Sequence, residues 1–249
     1  MPAVVFYLGH CVSLPVSSRT KHFFQALASP VGRKVLTGLT GLGLVLFVIV
    51  HMLGNLTYLQ GGDAYNLYAH KLASYGVLLY ILEVGLAAFF ALHACIGISI
   101  YLRKRRARGG HYARYKTAGK PSLQTFASRT MIVSGIVLLV FLVLHLIHFK
   151  FGPGMAEGYV ATIEGEQIRD LRRLMTEQFR SPLYAFGYPA VIILLGFHLR
   201  HGFWSALQSL SLTSPRLSSI LYPAGALLGI VVGAGFIIVP LWIYFSQFS

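Results

Sequence analysis

Along the 249-residue chain, long apolar stretches alternate with short segments that hold most of the charged residues. Crossing a hydrocarbon core takes about 20 mainly apolar residues in a helix. Five stretches reach that length: residues 35–57, 76–102, 130–149, 183–208 and 220–248. Leu, Val, Ile, Phe and Gly dominate each, and none sustains the period-two alternation of a membrane barrel. The pattern predicts an all-α fold, a polytopic membrane helical bundle of five transmembrane helices. The opening residues 2–16 are apolar but short, contain Pro15 and lack a basic leader. They read as a surface or interfacial piece rather than a sixth span or a cleaved signal. Residues 22–28 suggest a short amphipathic helix lying on the membrane.

Composition agrees with that reading and closes other routes. Hydrophobic residues make up 55% of the chain and charged ones 11%, against about 25% charged in soluble domains, so an ordinary water-facing surface is excluded. Two cysteines, Cys11 and Cys95, make no disulfide framework, and no C-x-x-C-H sequence is present for covalent haem attachment. The chain divides into an arm, 1–34, and a membrane domain, 35–248, with no room for a separate soluble domain.

Net charge is +14, from 21 Lys+Arg against 7 Asp+Glu, and its distribution predicts orientation. The arm carries Arg19, Lys21, Arg33 and Lys34 without an acid. The connection after the second span carries eight bases from Arg103 to Lys120, again without an acid. Every acid except Glu83 lies in the first or third connection. Cytoplasmic loops hold the excess of Lys and Arg, so the N-terminus is expected in the cytoplasm and the C-terminus outside, in the cell inner (cytoplasmic) membrane. A basic stop beside a span explains 103–120 better than nucleic-acid binding does.

Ionisable groups at membrane depth are costly and usually functional. Each of the first four spans carries one deep histidine: His51, His93, His145 and His198. At about 1.5 Å rise per residue, His51 lies about 25 Å from Lys34 and His145 about 24 Å from Arg129, sharing a level near the outer face. His93 stands about 15 Å from Arg103 and His198 about 15 Å from Gln208, sharing an inner level. Two level-matched pairs drawn from four helices are the geometry for two stacked b-type haems, each iron held by two neutral imidazoles. Gly97 and Gly202 follow His93 and His198 by four residues, on the same helix face, where a flat porphyrin leaves no room for a side chain. Gly41 and Gly135, ten residues before His51 and His145, fall near the inner level and relieve crowding there; plain helix packing explains small residues equally well. His201 competes with His198, which is preferred because a glycine stands one turn on. No carboxylate or second cysteine joins either level, which disfavours zinc.

These motifs resemble the di-haem cytochrome b membrane-anchor subunit of succinate dehydrogenases and fumarate reductases. The resemblance is carried by His51-Met-Leu-Gly-Asn55, His93-Ala-Cys-Ile-Gly97, Ser134-Gly135 with His145 ten residues on, and His198-Leu-Arg-His-Gly202-Phe-Trp204, over roughly residues 30–248. It implies that His51 and His145 hold the distal haem and His93 and His198 the proximal one. It implies a cytoplasmic flavoprotein subunit with FAD, an iron–sulfur subunit carrying the clusters, and menaquinone as the membrane substrate. Dicarboxylate chemistry would belong to the flavoprotein. In some fumarate-reducing relatives a glutamate stands two residues before the fourth ligand; here that position is Gly196.

The remaining candidates are weighed residue by residue. Glu83, the one acid inside a span, is either a proton-exchanging or quinone-contacting carboxylate or a structural acceptor for a neighbouring helix. For His148, quinone contact, propionate contact and plain surface are alternatives. A quinone pocket near the outer haem would draw on Glu83, His148, His70 and Asn55. Arg33, Lys34, Arg129 and Arg200 are the expected propionate partners, since buried carboxylates need paired cations. Two other functions stay open on sequence alone: a haem b subunit of a hydrogenase, formate dehydrogenase or nitrate reductase, and a haem-free transporter with a histidine relay.

Overall fold

The computed structural model describes His22 and residues 25–61, 63–107 and 126–248, with backbone alone at 126–129. The expected surface piece at 2–16 and most of the basic stretch 103–120 lie outside the described residues. His22 and 25–28 are helical.

Five helices are long and apolar enough to cross a membrane: Pro30–Gln60, Val77–Ala107, Thr130–Lys150, Pro182–Ser209 and Pro215–Ser246. They are the five expected spans, here called spans one to five. Local chemistry sets several of the starts. Ser29 Oγ accepts the backbone N–H of Gly32 at 3.0 Å and Pro30 follows it, which is a side-chain cap with proline at the first helical position. Ser214 and Pro215 open the fifth span in the same way. Pro189, Pro223 and Pro240 sit inside spans, each removing one backbone donor, which membrane helices tolerate better than soluble ones. At the end of span three the helix widens into a π turn, Leu146–Lys150.

Spans four and five pack most closely. At Gly196 an added Cβ would stand 3.0 Å from the carbonyl oxygen of Gly229, so the two backbones touch through paired glycines. A buried cluster of Met52, Leu199 and Val232 joins spans one, four and five. Span two, by contrast, buries none of its residues and leans mainly on span one.

The first and third connections meet at one end of the bundle and build a cap. It consists of a short helix Ala64–Ala73, a hairpin of β1 (Val160–Ile163) and β2 (Glu166–Arg169), and a helix Leu171–Arg180. The strands pair antiparallel with Val160 opposite Arg169 and Ile163 opposite Glu166. Glu164 and Gly165 turn the hairpin with φ of 53° and 84°, the positive pair that a tight two-residue turn requires. Arg169 donates to the carbonyl oxygens of Phe149, Gly152 and Pro153 at 2.8–3.0 Å and so ties the hairpin to the end of span three. Asp170 caps the last helix through the N–H of Arg173 at 2.9 Å. Met175 and Phe179 of that helix pack with Tyr58, Val239 and Ile243, locking the cap onto spans one and five.

Candidate functional site

A cavity of about 2290 Å³ runs between the first four spans and is touched by the fifth only at Phe236, Val239 and Pro240. Sites for one small molecule are about 300–1,000 Å³, so this space suits more than one ligand or a very large one. All four deep histidines line it.

At one level, the rings of His51 and His145 face each other with centroids 5.7 Å apart and planes at 84°. Phe47 stacks on His51 at 5.4 Å, and Phe141 stacks on His145 at 5.8 Å, so aromatic neighbours hold both rings. Asn55 Nδ2 donates to the His51 carbonyl oxygen at 2.8 Å and lies 3.4 Å from His51 Nε2. His145 Nδ1 is buried and has no hydrogen-bond partner among the described residues. Such an orphan costs about 1–3 kcal/mol unless something pairs with the ring, and it marks a position awaiting a ligand.

Further along the same cavity wall stand His93 of span two and His198 of span four. Thr40 Oγ1 lies 3.3 Å from His93 Nδ1, and Ser134 Oγ lies 3.1 Å from His198 Nδ1. The glycines divide into two kinds. At Gly97 and Gly202, both on the cavity wall, an added Cβ would meet nothing within 4 Å, so each opens onto the cavity beside its histidine. At Gly41 the added atom would stand 3.2 Å from His93 Cε1, and at Gly135 3.6 Å from His198 Cε1; these two give room to imidazoles. His201 lines the cavity as well.

The chain of the residues matched by family comparison spans more than half of the protein: residues 102–237 match the model of the succinate dehydrogenase/fumarate reductase transmembrane subunit. The chain belongs to that family. No curated protein and no solved structure matches it. The chain is accordingly a multi-pass membrane protein, and five of its helices are long and apolar enough to cross a bilayer.

Among its described residues no three His, Cys, Asp or Glu side chains group to hold a metal ion. Pairs of histidines fit a metal whose remaining ligands arrive with it, as in a porphyrin. The buried unpaired His145 Nδ1, the glycine openings and the cavity volume all suit such a flat, bulky group.

The expected propionate partners separate. Lys34 lines the cavity, but Arg33 bonds Ala28 and Ser99, and Arg200 lies over the Tyr222 ring at 5.6 Å; neither lines it. The Arg129 side chain lies outside the described residues. Lys104 and Arg105, both exposed on the helical continuation of span two to Ala107, line the cavity instead.

Towards the cap, Glu83 lines the cavity and is ion-paired with Lys150 of the π turn. Asn55 and His70 are also on the wall, the latter 3.5 Å from Glu166. His148 is not. Its Nδ1 lies 3.0 Å from the hydroxyl of Tyr188, and it is Tyr188 that reaches the cavity. Tyr65, Gln167 and Arg169 complete this end and had no signal in the sequence beyond polarity in a connection.

Proposed function

We propose that the subunit is a cytochrome b that carries electrons between the iron–sulfur subunit and menaquinone through two haems, each held by two histidines. The observation that carries this reading is the pairing of four histidines from four spans along one cavity. His51 and His145 would hold the distal haem, His93 and His198 the proximal one, with Gly97 and Gly202 giving the porphyrin faces room. Lys34, Lys104 and Arg105 would receive the proximal propionates. When bound, the haems supply one-electron centres whose potentials follow from the axial imidazoles and their surroundings.

The chain's own residues do the rest. Apolar spans keep water from the electron path, and the stacked Phe47 and Phe141 keep the outer imidazoles from rotating. At the cap end, Glu83 and Lys150 can hold and exchange a proton at the carboxylate Oε1 beside a quinone, with Tyr188 oriented by His148. A carboxylate at Gly196 has no counterpart here, since that position is filled by the Gly229 backbone. The charge pattern supports an arm and a 103–120 loop on the cytoplasmic side, facing the iron–sulfur and flavoprotein subunits, with the cap outside.

The test is a pyridine haemochrome assay on the purified complex, with identification of the subunits that copurify. Two haems b per chain and a flavoprotein bearing FAD are expected. A nickel or molybdenum partner would move the chain to another respiratory complex, and a featureless Soret region would leave a haem-free anchor. His93→Ala or His198→Ala should leave one haem per chain and stop quinone-linked turnover while dye-linked activity of the soluble subunits persists.

A further inference from the structure

Two hydroxyls stand behind the inner histidines in the same way. Thr40 and Ser134 each precede a glycine, and each hydroxyl–glycine step lies against the Nδ1–Cε1 edge of an imidazole from the neighbouring span. Both residues are buried, at 4% and 6% exposure. A hydroxyl carries a single proton. Thr40 Oγ1 donates it to the Leu36 carbonyl oxygen at 2.8 Å, and Ser134 Oγ donates to that of Met131 at 3.1 Å. The Thr37 carbonyl oxygen, 3.2 Å from Thr40 Oγ1, is a second acceptor for that proton. With the hydroxyl proton on a carbonyl, each oxygen is an acceptor towards the ring and Nδ1 carries the hydrogen between them.

We propose that Thr40 and Ser134 are positioning residues that hold His93 and His198 as Nδ1–H tautomers, with the Nε2 lone pairs directed to a haem iron. This rests on the cytochrome reading above. Accepting a hydrogen bond from the distal nitrogen fixes ring orientation and raises the ligand's basicity, which favours the ferric iron. The outer pair is built differently: His145 Nδ1 has no partner among the described residues, and the contact of His51 with Asn55 involves Nε2. The hydroxyl device therefore acts on one haem of the two.

The test uses the whole complex in its membrane, with Thr40→Val and Ser134→Ala set beside Thr40→Ser. Haem content, redox titration and electron paramagnetic resonance of the ferric haems are read together. Losses in metal affinity on removing such partners run about 10–100-fold. A tenfold loss confined to ferric iron raises a one-electron potential by about 59 mV. The expected result is a rise of that order in the haem that His93→Ala removes, with a shifted ferric signal, an unchanged second haem and restoration in Thr40→Ser. Loss of the inner haem in Thr40→Val but not in Thr40→Ser would also support the proposal. Unchanged potential and signal in both Thr40→Val and Ser134→Ala, at two haems per chain, would overturn it; so would Thr40→Ser behaving like Thr40→Val. Should Thr40→Val fail to accumulate, Ser134→Ala decides by the same criteria. A wild-type complex without haem would overturn the cytochrome reading itself, and this proposal with it.

Discussion

Asn66 Nδ2 donates to Asp170 Oδ1 at 2.8 Å while Asn66 Oδ1 accepts the backbone N–H of Arg172 at 2.9 Å. One buried amide thereby ties the connection after span one to the connection after span three, and both to the same end of the bundle. Asn66 is 2% exposed, so its amide has no water to turn to in their place. Asn66→Ala should cost about 1–3 kcal/mol, the penalty of leaving buried polar groups unpaired. The expected readouts are a lower thermal midpoint of the complex and faster trypsin cleavage at Arg172 or Arg173, with haem content unchanged.

Gly97→Leu removes no ligand and fills the space beside His93. It should lower haem content towards one per chain while the chain still inserts. Normal haem content in this variant, measured by pyridine haemochrome, would reject a porphyrin against that face.

Glu83→Gln separates the two meanings of the ion pair with Lys150. Half-exposed pairs contribute about 0–1 kcal/mol, so thermal stability should barely move. Loss of a proton-exchanging group should cost quinone-linked turnover about a hundredfold or more. Full haem content with normal turnover would reduce the carboxylate to a helix-to-helix contact.

Burial pushes the Tyr65 hydroxyl up from its ordinary value of 10.0 to about 12. The folded protein thus keeps a proton that the unfolded chain gives up. Stability is fully present below pH 10 and falls as pH rises from there through about 12. Tyr65→Phe should flatten this alkaline loss, followed as the pH at which the cap becomes open to protease. An unchanged alkaline profile would assign the loss to other groups.

Much of this was readable before any coordinates, because the membrane makes a few signals loud. A span needs a long apolar run, and a histidine within one is costly enough to stand out; the rings of His51 and His145 lie 5.7 Å apart. The cap is quieter. Its strands are four residues each, too short for periodicity. The misplaced cations have a geometric cause. Arg200 follows His198 by two residues, which on a helix turns it away from the ligand's face. Lys104 and Arg105 read as loop residues in the sequence because charge hides the continuation of span two to Ala107. Ser134-Gly135 stands out in the sequence only by its spacing to His145, and Thr40 not at all; that both hydroxyls lie against imidazoles is a contact between helices.

The repeated hydroxyl–glycine step has a historical consequence. Thr40-Gly41 precedes His51 as Ser134-Gly135 precedes His145, and each step serves the histidine of the span that follows its own. Joining two copies of a two-helix hairpin end to end produces this arrangement, since each hairpin begins and finishes on one side of the bilayer and needs no inversion. Spans one and two thus repeat a local pattern that spans three and four carry again, and the fifth span, without a histidine, stands outside it.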